Sequence, residues 1–391
     1  MSAEVSIPAA PPEAGRWRRA RTSDVGRVLA LWTGIRTGIW LWMLGTAWLS
    51  GVDAGRRTSD PVAWVVDRLI AWDSTHFIGI AQHGYNPTGA TCCDQAFFPG
   101  YPLAIRALTP LFGDVRIAAL AIPVVAGAVA AMLLWRITVD ELGAAAGWHA
   151  VALLALTPYG VFLSLAYSES LFLALALAAW YSALHQRWWW AGVAASAAAL
   201  VRVNGVFLAV ALAVMWLSVR RRDRATPRSA ALSLLLPFAS AGAYLWYVQS
   251  RSWPSWTQAQ SVSWDRRVGW PWEAFAWTQR WVIDQSSLDL RVAGVVEPLV
   301  VLAGMALVVV LARRRRWAEF VYVSLSVGVL LFSNRFLSSP RLSVLWFPAF
   351  VLGGAWLART GHGVLARWVY AASIVGLAYT SLLFATHLWV S

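Results

Sequence analysis

Apolar residues dominate the chain in runs of about 17–23, each long enough to cross the hydrocarbon core of a bilayer as a helix. Eleven such segments are predicted, at about 28–50, 115–135, 148–166, 167–184, 188–202, 204–219, 229–249, 292–312, 318–334, 342–358 and 368–390. The pattern changes character in two longer stretches, 51–114 and 251–290. In the first, Val62, Val65, Val66, Leu69, Ile70, Phe77 and Ile80 recur at helical spacing, which predicts one amphipathic helix lying in the membrane interface. The second interleaves Trp253, Trp256, Trp264, Trp270, Trp272, Trp277 and Trp281 with Asp, Glu and Arg, a composition suited to the headgroup level. A basic tail at 1–27 precedes a single membrane domain at 28–391. No internal repeat is visible.

Charge fixes the expected orientation. Only 13% of the 391 residues are charged and 59% are apolar, which excludes a soluble enzyme, a secreted domain and a nucleic-acid partner. All 32 basic residues are Arg. Arg16, Arg18, Arg19, Arg21 and Arg27 precede the first segment. Alternation then puts Arg136, Arg187, the 220–228 cluster, Arg313 to Arg316, Arg359 and Arg367 on the same side. Basic residues in short loops favour the cytoplasm, so the N-terminus is expected inside and the two long stretches outside. The first apolar run starts too late, and is too long, for a cleavable leader. Cys92 and Cys93 are adjacent and offer neither a disulfide framework nor a metal-ligand spacing; a vicinal disulfide and two thiols both remain open.

Ionisable groups near membrane depth are expensive and gather where there is function. Here four sequence-distant groups converge on the expected outer face: Trp72-Asp73-Ser74-Thr75-His76-Phe77, Tyr167-Ser168-Glu169-Ser170, Arg202-Val203-Asn204-Gly205, and Arg335 with Arg341. Asp73 and His76 share one helical face, as a proton acceptor with an imidazole neighbour or as a plain surface pair. Glu169 is either a second acid or a helix-start residue. Arg202 and Arg341 either grip a phosphate through a bidentate fork or snorkel to headgroups. Trp72 and Tyr101 offer rings for stacking on a sugar, or for packing. Arg36 and Glu297 lie within spans, where a polar neighbour would account for each.

These blocks resemble the PIG-V family, the glycosylphosphatidylinositol second-mannose transferases and their bacterial relatives. Trp72 to Tyr85 is similar to the family's first-loop motif, and Phe97-Phe98-Pro99-Gly100-Tyr101-Pro102-Leu103 to its FFPxYPL block. Thr157-Pro158 with Tyr167 to Phe172 resembles NP…YSESLF, with Thr for the usual Asn. Arg202 to Gly205 resembles R-x-N-G. Pro340-Arg341-Leu342 with Trp346-Phe347-Pro348 is a looser match, with Leu at the usual Tyr position. The Trp-rich stretch has no counterpart.

The resemblance implies an all-α polytopic bundle of the GT-C type, transferring mannose from polyprenyl-phosphate-mannose to a glycolipid hydroxyl, or to a protein, on the extracytoplasmic face of a bacterial plasma membrane. It implies Asp73 as base with Glu169 second, and Trp72, His76, Tyr85, Tyr101, Tyr167, Arg202, Asn204 and Arg341 as substrate-binding residues. No metal or cofactor is called for. A lipid-linked sugar flippase is the reading from another class.

Overall fold

The computed structural model describes residues 22–85, 94–224, 226–251, 254–285, 287–359 and 362–390; Arg16, Arg18, Arg19, Arg21, Cys92, Cys93 and Trp253 lie outside them. Helix is the only extended secondary structure among these residues. The first apolar segment is α1 (Thr22–Leu49), followed by four shorter helices, α2 (Ala54–Ser59), α3 (Pro61–Arg68), α4 (Asp73–His83) and α5 (Gly100–Phe112). Then come α6 (Val115–Leu142), α7 (Ala144–Leu156), α8 (Glu169–Leu184), α9 (Trp188–Val201) and α10 (Asn204–Arg222). After α11 (Ala230–Ser233) and α12 (Leu236–Gln249), the Trp-rich stretch forms α13 (Trp256–Ser263) and α14 (Pro271–Asp284). The chain closes with α15 (Leu288–Arg313), α16 (Trp317–Leu331), α17 (Ser339–Ser343), α18 (Phe347–Leu357) and α19 (Gly363–Ala385).

Each of the eleven predicted segments contains an apolar helix. Among the described residues, six helical stretches are long and apolar enough to span a bilayer, and α7, α8, α9, α16 and α18 are shorter. The protein is a multi-pass membrane protein. Large apolar side chains such as Leu49, Trp246, Leu299 and Val375 stay exposed, as a lipid-facing surface requires. The interior between helices is dense with alanine, and glycine sets the closest approaches. A Cβ on Gly205 would lie 2.2 Å from the Ala199 nitrogen, so the α9–α10 hairpin closes only around glycine. Short turns at 142–144, 184–188 and 313–317 sit at one end of the bundle; alternation carries the 51–114 and 251–290 stretches, and the turns at 157–168, 202–203 and 332–346, to the other.

Two expectations are corrected. The single interfacial helix across Val62–Ile80 is two helices: Asp60 caps α3, accepting from the Ala63 amide at 3.0 Å, and the chain breaks at 69–72 before α4. Trp72 bears the break in a backbone conformation rare for a side-chain-bearing residue, at φ 57°. The span read across 148–166 is also interrupted. α7 ends at Leu156, and Pro158 opens a 3₁₀ segment through Leu163, because proline cannot continue the helical ladder. Carbonyls freed at that break need donors, and Arg36 supplies them from α1. Its guanidinium donates to the Gly160 oxygen at 2.5 Å, the Ala155 oxygen at 2.7 Å and Ser164 Oγ at 3.2 Å. Glu297 serves the same purpose elsewhere, accepting from the Ser338 and Ser339 amides where α17 begins.

Candidate active site

Three helices begin beside one cavity, and their first residues are the candidate groups. Asp73 opens α4, Glu169 opens α8 and Asn204 opens α10. Both acidic side chains stand at helix N-termini, beside the positive end of the helix dipole. The Arg341 side chain on α17 joins them. It donates from Nη1 to Asp73 Oδ2 and from Nε to Glu169 Oε1, each at 2.5 Å. Arg202 reaches the same Glu169 Oε1 and also Ser168 Oγ, both at 2.9 Å. Glu169 is wholly enclosed and is shared by two guanidiniums, whereas the Asp73 side chain keeps 22% of its surface open. Removing one partner from a buried network of this kind leaves a charge uncompensated, so the four residues stand or fall together.

Asp73 therefore faces the cavity and Glu169 lies behind it. Burial pushes the Asp73 carboxyl up, but the charge and hydrogen bond of Arg341, with Arg266 and His76 beyond, outweigh it and hold it below the usual carboxylate range. Arg341 itself rests on aromatic faces, 4.4 Å above the Tyr167 ring and 5.0 Å above Phe162. The Tyr167 hydroxyl donates to the Ala71 carbonyl at 2.9 Å and so ties α8 to the strained turn before Asp73.

The cavity holds about 660 Å³, within the range of pockets that take small molecules. Trp72, Asp73, His76, Tyr167, Arg202, Asn204 and Arg341 all line it. His76 does not bond Asp73. Its Nδ1 pairs with Asp94 Oδ1 at 2.7 Å, and its ring stacks on Phe97 with centroids 4.9 Å apart. Tyr101 and Tyr85 stand apart from the cavity. Tyr101 is fully buried with its hydroxyl on the Ala119 carbonyl at 2.7 Å, so no ring face is open to a sugar. Tyr85 lines a second, mainly apolar cavity of about 480 Å³, and its hydroxyl bonds the Phe97 carbonyl at 2.7 Å.

Several contributors were not singled out from sequence. Asp94 is the partner of His76, and Trp389 meets the Trp72 ring edge-on at 5.4 Å. Arg266 and Gln260 join Trp264 and Trp277 of the Trp-rich stretch in a further wall. The interleaving of Arg with Trp in that stretch was the available signal. Among the described residues no group of three His, Cys, Asp or Glu side chains converges as a metal site.

An all-α bundle that collects carboxylates, arginines and tryptophans at one end, beside lipid, has the architecture of a GT-C-type membrane protein. ArnT from Cupriavidus metallidurans, solved bound to undecaprenyl phosphate, shares that fold: it superposes with a TM-score of 0.54 at 13% identity over 94% of this chain and 73% of its own. The chain is PIG-V-like: residues 59–226 match the family Mannosyltransferase (PIG-V). It is similar to GPI alpha-1,6-mannosyltransferase 2 of Cricetulus griseus, 34% identical over 149 residues, and to that of Homo sapiens, 33% identical over 149 residues. Each match covers 35% of this chain and 29% of the relative, so the chain aligns with less than a third of the relatives' length. The matched stretch contains Asp73, Glu169 and Arg202 but neither Arg341 nor the Trp-rich wall.

Proposed function

We propose that this chain is a glycosyltransferase that moves mannose from polyprenyl-phosphate-mannose to a hydroxyl of a glycolipid of the phosphatidylinositol-mannoside or lipoglycan type, with inversion at the anomeric carbon. The observation that carries this reading is the placement of Asp73. It is an ionised carboxylate at the wall of a sugar-sized cavity, held by Arg341, inside the stretch that matches a mannosyltransferase family. Asp73 accepts the proton of the acceptor hydroxyl as that oxygen bonds the anomeric carbon, and the bond from that carbon to the phosphate oxygen breaks on the opposite face. The electron pair leaves with the phosphate, which gains one negative charge, while Asp73 becomes neutral. Arg341 then loses its counter-charge at the moment the phosphate acquires one, and turns to stabilise it. Glu169 keeps Arg202 and Arg341 in register, Tyr167 supports Arg341 from beneath, and Trp72, His76 and Asn204 present rings and hydrogen-bonding groups to the sugars.

The reading places the site on the extracytoplasmic face of a bacterial plasma membrane. Support comes from the arginines: those at 136, 187, 220–222, 313–316, 359 and 367 gather at the end of the bundle opposite Asp73. The test is transfer in liposomes from radiolabelled polyprenyl-phosphate-mannose, with lipid extract and peptide offered as separate acceptors. Transfer to lipid supports the proposal, transfer to peptide alone redirects it to protein O-mannosylation, and labelled donor crossing the bilayer without transfer refutes it in favour of a flippase.

A further inference from the structure

Four arginines border the catalytic cavity, and three are committed. Arg202 and Arg341 are matched by Glu169 and Asp73. Arg335 donates to the Trp264 carbonyl and lies 3.6 Å from the Asp265 carboxylate. Arg266 differs: among the described residues its guanidinium has neither an ion-pair partner nor a side-chain hydrogen bond, although it lines the same cavity as Asp73. It is nonetheless firmly placed. Its neighbours Asp265, Arg267 and Gly269 are pinned to the 332–334 turn by four hydrogen bonds. The Arg267 amide reaches Asn334 Oδ1 at 2.9 Å, the Asn334 side-chain amide reaches the Asp265 carbonyl at 2.9 Å, the Asn334 amide reaches the Arg267 carbonyl at 2.9 Å, and the Gly269 amide reaches the Phe332 carbonyl at 3.0 Å. Gly269 permits this contact, since a Cβ there would lie 2.7 Å from the Asn334 Cα. A fixed cation whose opposing charge, Asp73, is already bonded to Arg341 is costly in a largely enclosed site unless a ligand brings more negative charge.

We propose that Arg266 binds the phosphate of the lipid carrier. This assignment rests on the glycosyl-transfer reading above and deepens it. The donor is a phosphodiester bearing one negative charge before any proton moves, when Arg341 is still held by Asp73, so the ground-state complex needs a cation that Asp73 and Glu169 do not already claim. The planar guanidinium suits two phosphate oxygens at once. The same wall carries Trp264, whose indole N–H is buried without a partner, beside the position the phosphate takes. Arg266 lies beyond residue 226, so the resemblance to the family neither supplies nor requires it.

The test is equilibrium binding of radiolabelled undecaprenyl phosphate to the purified full chain in nanodiscs, with phosphate-free undecaprenol as the comparison. Arg266→Gln is expected to bind undecaprenyl phosphate about tenfold or more weakly, as befits a lost charge-assisted hydrogen bond, and to bind undecaprenol like wild type. Arg266→Met tests the same loss should the glutamine variant fail to fold, and Arg267→Gln, at an exposed side chain, is expected to bind as wild type. Undiminished binding of undecaprenyl phosphate to the neutral variants overturns the assignment. So does an equal loss for undecaprenol, which would make Arg266 structural. Wild type that binds undecaprenyl phosphate no better than undecaprenol overturns the donor class in the proposed function as well, and is told apart by involving no variant.

Discussion

Replacing Arg341 with glutamine tests the site at its centre. The substitution keeps the length and a hydrogen-bonding end but removes the charge that lies 2.5 Å from both carboxylates. In the native protein that charge and its hydrogen bond, with Arg266 and His76, outweigh the burial of Asp73. Without it the burial remains, and the carboxyl rises. With the arginine's charge and hydrogen bond gone, the Asp73 carboxyl is expected to climb. The sign for catalysis follows from the base being active only when ionised. In wild type kcat/KM should hold down to pH values below the usual carboxylate range, and fall only as the pH passes through the lowered Asp73 value. In Arg341→Gln the acid limb should move to higher pH, with about tenfold lost per pH unit below the new value. Glu169 retains Arg202, so the destabilisation should be less than the roughly 3–5 kcal/mol typical of orphaning a buried charge. The assay is kcat/KM for sugar transfer between pH 4 and 8 in liposomes, with thermal unfolding of both proteins recorded alongside. An acid limb that does not move, or moves down, would refute the coupling of Arg341 to Asp73.

Four other outcomes are expected. Asp73→Asn should cut transfer by about 10²–10⁴-fold and lower the unfolding temperature by leaving Arg341 short of a counter-charge; retained transfer would shift the base to Glu169. Gly205→Ala should lower the unfolding temperature sharply, because its Cβ meets backbone 2.2 Å away in α9, whereas Gly79→Ala, with nothing within 4 Å, should be neutral. Glu297→Ala should cost about 3 kcal/mol in a denaturation series and depress transfer too, since it removes the acceptor of the Ser338 and Ser339 amides that seats Arg341 on α17. Tyr244→Phe should cost about 1 kcal/mol by freeing the Gln95 carbonyl 2.8 Å from its hydroxyl, while the Phe97 carbonyl keeps the Tyr85 hydroxyl, with little change in transfer.

Hydropathy was enough to find every apolar helix, because burying twenty residues in lipid is a local property of the chain. It misplaced the breaks at 69–72 and 157–163, which depend on partners far away. Pro158 signals that the ladder stops, but only the arrival of Arg36, more than a hundred residues earlier, makes a non-helical segment tolerable there. The site residues 73, 169, 202 and 341 were legible as polar groups that a membrane end must justify. Their wiring was not: that Arg341 bridges both carboxylates, and that His76 turns to Asp94 rather than to Asp73, is set by how α4, α8 and α17 pack. Tyr101 belongs to a motif and yet serves the core, for its hydroxyl is spent on α6. The Trp-rich stretch suits the headgroup level by composition, and the same composition suits the wall of a cavity, so sequence alone does not show that it lines one.

Arg36 also has a history within the life of each molecule. It sits on α1, which is synthesised more than a hundred residues ahead of the carbonyls it serves, those of residues 155 and 160. Until the ribosome has made that later segment, α1 must wait in or beside the membrane with a charge that insertion scales put at about 2.5–3.5 kcal/mol against it. The cation–π contact with Trp32, one turn away at 4.1 Å, is a partner already present on the same helix. Biogenesis of this protein therefore carries a built-in order: α1 becomes comfortable in the bilayer only when the break after α7 arrives to receive its arginine.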